Sequence, residues 1–300
     1  MSSQSPPSEA TKFNIPLLTS YYTQGPITSS SVSPQLELRA QIISAWNIAP
    51  GSQVLEIGCG QGDATIVLAE AVGEEGHVDG IDPGSPDYGS PVTLGQSQAR
   101  LKESPLGSQI TFINKDPEDY LSTSTKHYDY IIFFNSLWYF STPSKIRSLL
   151  TQIISTKRIR TLCVAEYALQ ASNLNAVPHL LAALAQSALN SRSAEQTNIC
   201  TAVSPAWIKA TMSNMGNLSI KQEATIHPAS SLAEGRWEVQ AVLAPDFLKR
   251  VKEVANGDEE LEVALSGTRD AVVGSLEAVG AGVRGVETMS VWWGVWELQN

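Results

Sequence analysis

Short apolar runs alternate along this chain with longer stretches of helical spacing. Gln53–Ile57, His77–Ile81, Ile110–Ile113, Tyr128–Phe134 and Ile159–Ala165 read as strands, the fourth apolar on both faces as in a buried parallel sheet. Leu36, Leu38, Ile42, Ile43 and Trp46 fit one face of a helix, and Pro50-Gly51 a turn. Helices are expected from Asp63 to about Ala71, with Gly73 as the stop, over Gln96–Lys102, and over Ile146–Ile154. Strands alternating with helices imply a mostly parallel sheet covered on both faces.

Past Glu166 the pattern changes. Residues 176–190 read as an amphipathic helix, and Ser204-Pro205 as a helix start with Ser as cap and Pro in the first turn. Leu218–Ile226 is a strand, and residues 236–255 are largely helical with a break near Pro245. Glu259 to about Val279 is a long helix weakened at Gly267. Ser290–Leu298 closes the series with Val291, Trp293 and Val295 on one face and Trp292 and Trp296 on the other, a strand covered on both sides. Residues 1–12 are rich in Ser and Pro and are expected to be a disordered tail. Residues 13–300 are expected to be a single domain, with a core over about 50–170 and substrate-side helices over about 171–215 and 236–286.

Composition narrows the partners. A formal net charge of -10 repels phosphate backbones, which argues against nucleic acid. No apolar run is long enough for a membrane span, and no secretory signal pattern is visible, so a cytoplasmic location is expected. Cys59, Cys163 and Cys200 have no metal spacing and read as reduced, small apolar residues; no metal is expected. A monomer and a homodimer are both compatible with the sequence.

In a parallel sheet of this kind, ligands meet the carboxyl ends of the strands. Those ends are Glu56, Asp82, Asp116, Asn135 and Glu166. After Glu56 comes Gly58-Cys59-Gly60-Gln61-Gly62-Asp63, a glycine at every second position leading into a helix start. Such a turn lets a nucleotide-like ligand approach the backbone. A dinucleotide fingerprint spaces its third glycine three residues after the second, and this chain spaces it two, which disfavours a nicotinamide oxidoreductase.

The acid-x-G-x-G-x-G pattern of Glu56, Gly58, Gly60 and Gly62 resembles motif I of the class I S-adenosylmethionine-dependent methyltransferases. Asp82, 20 residues after Gly62, matches the ribose-binding acid. Asn114-Lys115-Asp116 resembles the third-strand acid that faces the adenine amino group, and Tyr128 to Asn135 resembles motif IV. The resemblance implies a Rossmann-like, doubly wound α/β fold. Its sheet is mostly parallel and seven-stranded with an antiparallel strand, and inserted helices cap the substrate. It also implies S-adenosylmethionine as cofactor. Glu56 would orient the methionyl amino group, and the backbone of Gly58, Cys59 and Gly60 would line the same moiety. Asp82, Pro83, Asp116, Pro117, Asn135 and Ser136 would complete the cofactor site, with Tyr22 folding over it from the N-terminal side.

A second resemblance is to a group of small fungal methyltransferases. It is carried by residues 86–96, 136–140, 165–169 and 236–238, and by the closing Met289-Ser290-Val291-Trp292. Ser290 stands where that group's pattern has an Asp before Val-Trp. Methyl transfer rests largely on aligning nucleophile, methyl and sulfur, with a base needed only where the nucleophile holds its proton. His179, at the start of the inserted helix, is the candidate base, and Glu166 the second candidate catalytic group. Tyr21, Tyr88, Trp138 and Tyr139, with Glu166 and His179, are the candidate substrate contacts. Each has a plain alternative: Trp138 and Tyr139 as core packing, Glu166 as a solvated acid, His179 as a satisfied core or surface histidine, Tyr21 and Tyr88 as packing or surface. The implied reaction is methylation of an oxygen or nitrogen of a small, partly aromatic or apolar metabolite, of secondary-metabolite type. A non-methylating reaction such as cyclisation or rearrangement, or a non-catalytic regulatory protein of the same fold, would carry the same motifs.

Overall fold

A computed structural model describes residues 12–22, 28–194, 197–216 and 218–298. The expected tail at 1–12 lies outside them except for Lys12. Seven strands stand in the order β3-β2-β1-β4-β5-β7-β6. The chain forms two compact units, one of residues 1–114 with 128–130, the other of residues 115–127 with 131–300.

The first unit begins with α1 (Ile15–Tyr22) and α2 (Ser29–Trp46), followed by β1 (Gln53–Ile57), α3 (Asp63–Val72), β2 (His77–Ile81), α4 (Leu94–Glu103) and β3 (Ile110–Ile113). β1 pairs with β2, and β2 with β3, all parallel and in unbroken register. Val54, Leu55 and Ile57 are fully buried, as are Ile66 to Ala69 on α3. α3 is apolar around most of its circumference, as a helix enclosed on more than one side must be. α2 ends at Asn47 in the left-handed conformation, one of the few residue types that tolerates it. α4 starts two residues before its expected start. Thr93 and Gln96 make a reciprocal capping box there, fixing the end of the preceding loop. α1 was not foreseen: its eight residues are too few to show a helical period.

The second unit holds α5 (Pro117–Thr123), the end of β4 (Tyr128–Phe134), α6 (Pro143–Ser155) and β5 (Ile159–Tyr167). It continues with α7 (Val177–Asn190), α8 (Pro205–Asn214), β6 (Leu218–Ile226), α9 (Glu234–Leu243), α10 (Pro245–Ala255), α11 (Glu259–Glu277) and β7 (Val291–Leu298). β7 runs antiparallel to both β5 and β6, with one register shift between Ile220 and Gln222. Trp292, Trp293 and Trp296 are all buried, so both faces of β7 are covered as their size demands. β6 is the sheet's edge, and most of its residues are exposed. A separate apolar core joins α7, α9, α10 and α11 through Ala182, Ala185, Val239, Val242, Val251 and Leu265. Among the described residues no helix is long and apolar enough to cross a membrane.

Candidate functional site

In the first unit, β1 delivers Glu56 into the interior and then turns sharply. Gly58, Gly60 and Gly62 all have positive φ, at 77°, 51° and 93°. Gly62 needs its hydrogen twice over. Its φ disfavours any side chain, and a Cβ there would lie 2.6 Å from Leu101 Cδ1 and 3.0 Å from Phe112 Cζ. A Cβ on Gly60 would meet nothing within 4 Å, so the backbone there is open to a guest.

The turn is held from several sides. Gly60 N–H donates to Asp82 Oδ2 at 2.9 Å, and Gly84 N–H to Asp82 Oδ1 at 2.7 Å. Asp82 thus fixes the ends of β1 and β2 against each other. Gln98 Nε2 donates to Gly60 O, and Ser97 Oγ to Gln61 O. Tyr22 is buried, and its hydroxyl lies 3.4 Å from Gln61 O. The adjacent carbonyl, of Tyr21, accepts from Arg100 Nε at 2.5 Å. Pro83, next to Asp82, is exposed. Cys59 is a buried free thiol; its side chain faces Gly80 of β2, and its Sγ lies 4.0 Å from Gly60 O.

Glu56 is almost fully buried. Burial pushes its carboxyl up to about 8, opposed by the hydrogen bond from Thr65 Oγ1 at 2.5 Å. Nearby Asp63 and Asp82 raise it further, and Arg39 lowers it. Burial also holds the Tyr22 phenol well above its ordinary value, with the charges of Asp63 and Glu56 acting in the same direction. Three acids, Glu56, Asp63 and Asp82, thus lie around the turn, with Arg39, ion-paired with Asp63 at 3.4 Å, as a cation among them.

In the second unit, Asp116 caps α5, its Oδ1 accepting from Glu118 N and Asp119 N, with Pro117 buried as the first helical residue. Asn135 leaves β4 in the left-handed conformation, and its backbone N–H reaches Ala165 O. Both polar atoms of the Asn135 side chain are buried without a partner. Ser136 is buried beside it.

Glu166 is 0% exposed at the end of β5. Its Oε2 accepts from Leu137 N and Trp138 N, and its Oε1 from Tyr167 N. Burial pushes Glu166 up to about 8, against the pull of those three backbone donors. Solvated surface is thus ruled out, and the carboxylate ties β5 to the segment that follows β4. Trp138 is also buried, and its indole N–H donates to Val203 O at 2.9 Å. Tyr139 and Tyr88 are 56% and 59% exposed.

His179 is 0% exposed. Its ring meets Tyr167 edge-on at 5.0 Å, and Tyr167 in turn lies 5.2 Å from Trp138. Its Nδ1 accepts from Met289 N–H at 3.0 Å, so the neutral ring carries its proton on Nε2. Burial pushes the ring's pKa down to about 4. The expectation of a general base at His179 is corrected by this bond. The lone pair is already spent on Met289, and Nε2, buried and unpartnered, is a donor. Tyr167 and Glu234 were missed by sequence reasoning: Tyr167 Oη donates to Glu234 Oε2 at 2.6 Å. Tyr167 directly follows a strand-end acid and was within reach of the same argument. Glu234, 67 residues further on, carries no local signal. Ser290, the departure noted above, is buried, and its hydroxyl lies 2.9 Å from His227 Nδ1.

Residues 54–156 match a family model described as a methyltransferase domain, which spans the glycine turn, Asp82, Asp116 and the end of β4. That match and the relatives below support a class I S-adenosylmethionine-dependent methyltransferase. It is 26% identical to the methyltransferase phomM of Diaporthe leptostromiformis, over 87% of this chain and 83% of that protein. It is 48% identical over 44 residues to a demethylmenaquinone methyltransferase of Bacillus cereus, a match of 15% of this chain and 19% of that one. Among solved structures, a cyclopropane-fatty-acyl-phospholipid synthase-like protein from Lactobacillus casei superposes with a TM-score of 0.78 at 27% identity, over 95% of this chain and 98% of that one. The residues present fit S-adenosylmethionine. It brings a cationic sulfonium and an amino group and no phosphate, and the turn offers open backbone at Gly60 with acids around it and no basic cradle.

Proposed function

We propose that this chain transfers a methyl group from S-adenosylmethionine to an oxygen or nitrogen of a small, partly aromatic or apolar metabolite. The observation that carries the proposal is the buried Glu56 beneath a turn of three positive-φ glycines. When bound, the cofactor supplies the electrophilic methyl; the chain's own residues bind, orient and exclude water.

In this reading, Glu56 with Thr65 receives the amino group of the methionyl end, and the backbone of Gly58, Cys59 and Gly60 lines it. Asp82, already shaping the turn through Gly60, holds the ribose, with Pro83 beside it. Asp116, Pro117, Asn135 and Ser136 serve the adenosine side, and the unpartnered amide of Asn135 supports a ligand contact at that strand end. Tyr22 covers the turn, and Tyr21 lies next to it. Glu166 acts as a positioning residue that sets Leu137 and Trp138 through their backbone N–H groups. Tyr88, Trp138 and Tyr139 belong to the acceptor side, together with the helices over about 171–215 and 236–286. The acidic composition favours a small substrate over nucleic acid.

Calorimetry with S-adenosylmethionine, S-adenosylhomocysteine and NAD tests the cofactor. Binding of the first two without the third is expected, and the Glu56→Ala and Asp82→Ala variants should lose it. An acceptor screen that reads S-adenosylhomocysteine release then tests methylation. Turnover of an acceptor without that release would replace methyl transfer by a rearrangement.

A further inference from the structure

His179 is not among the residues assigned to the cofactor above, and it is completely buried. It is neutral and presents one N–H donor with no acceptor. A buried donor left without an acceptor is costly and calls for an explanation. Its surroundings are acidic. Glu234 is the charge that acts on His179, on Glu166 and on Glu238. Glu234 also accepts the Tyr167 hydroxyl, and Tyr167 stacks edge-on against the His179 ring. Gly235 sits directly against His179, where a Cβ would come within 3.1 Å of the ring's Cγ.

The donor and acceptor inventory restricts what this cluster can recognise. An ammonium group has donors only and cannot accept from His179 Nε2. A carboxylate or phosphate can accept, but would be buried against the charge of Glu234. A hydroxyl group does both: its oxygen accepts from His179, and its proton goes to a carboxylate that has room for more than one donor. Trp138 and Tyr167, their rings 5.2 Å apart, place aromatic carbon beside the cluster to meet a carbon skeleton. We propose that His179, Tyr167 and Glu234 form a subsite for an uncharged hydroxyl group of the acceptor. The assignment to the acceptor rests on the methyltransferase reading above; the binding chemistry does not.

Three probes of near-equal size separate the possibilities: 2-phenylethanol, 2-phenylethylammonium and phenylacetate. Each is titrated into the full chain, with and without S-adenosylhomocysteine, and followed by calorimetry and by the ring N–H signals of 15N-labelled histidine. The alcohol should bind about tenfold tighter or better than either charged probe, and should shift the Nε2–H signal of His179.

The His179→Asn variant retains an acceptor for Met289 N–H at the δ position and has no donor at the ε position. It should lose the preference while remaining folded, at a lower melting temperature because the side chain is smaller and buried. His179→Gln has a donor at the ε position and should retain the preference while losing some stability. Equal binding of the three probes, tighter binding of the ammonium, no binding of the alcohol, or a preference that survives His179→Asn would overturn the proposal. Cofactor binding is read separately. Loss of S-adenosylhomocysteine binding with the alcohol preference intact would sink the methyltransferase reading alone.

Discussion

Thr65 donates its hydroxyl to the Glu56 carboxyl at 2.5 Å, across the glycine turn and from the first turn of the following helix. The pair couples the geometry of the turn to the ionisation of the acid beneath it. Thr65→Val keeps the shape and removes the donor. It should cost about 1–3 kcal/mol of stability, raise the Glu56 pKa further, and weaken S-adenosylhomocysteine binding. Urea denaturation and calorimetry check all three. Unchanged cofactor affinity would detach Glu56 from the ligand.

Gly60 and Gly62 invite opposite failures. Gly62→Ala drives a Cβ into Leu101 and Phe112 at a φ of 93°, and should destabilise the fold by about 1–3 kcal/mol. Gly60→Ala meets open space at a φ of 51°. It should cost the fold about 1 kcal/mol but lower cofactor affinity more than Gly62→Ala does relative to its stability loss. Thermal melts set beside calorimetry on both variants decide this.

Asp82 carries two duties in the proposed site, and its variants should separate them. Asp82→Ala removes the acceptor of Gly60 N–H and Gly84 N–H together. Loss of hydrogen bonds to a charged group is worth about 1.5–3 kcal/mol, and both stability and affinity should fall. Asp82→Asn keeps one acceptor and should fall between the two. If affinity tracks stability through the series with no excess, Asp82 shapes the turn and does not touch the ribose.

The pH dependence of stability has a definite sign. Glu56 and Glu166 are each raised from 4.5 to about 8 on folding. Between those values the unfolded chain releases protons that the folded chain keeps. Their contribution is full below about 4.5 and is lost as pH rises through about 8. His179 runs the other way, lowered from 6.5 to about 4. Its contribution is full above 6.5 and is lost as pH falls through about 4. Urea midpoints of the free protein should decline from pH 5 to 8, and the Glu56→Gln and Glu166→Gln variants should each decline less. A midpoint that stays level across that range would mean both acids are ionised in the folded state.

The strands were legible because each is a compact apolar run with punctuation at its ends, and α7 and α11 because their 14 and 19 residues repeat the helical period several times. The same reasoning fails at α1 and α5, which have eight and seven residues, shorter than the window over which an apolar stripe stands out. At α5, Asp116-Pro117 was legible as a strand end but also carries a capping signature, and the two readings place the same residue. The glycine turn was visible because motif spacing is local. The cluster of His179, Tyr167 and Glu234 was half visible: the histidine stood out by its rarity, but what its nitrogens face depends on Met289 and on residues tens of positions away. Local sequence shows which residue types are present; the tautomer is decided by long-range contacts.

β6 ends the sheet with a row of exposed residues, among them Lys221, paired with Glu297 at 3.3 Å, and Glu223, paired with Lys209 at 3.0 Å. An unpaired strand edge invites a second chain to continue the ladder. Charges of both signs along this edge work against that, since an incoming strand would have to strip their hydration and break their ion pairs. These charged surface residues therefore guard the edge against pairing with another chain. Replacing them with threonine or valine to improve strand propensity would invite aggregation.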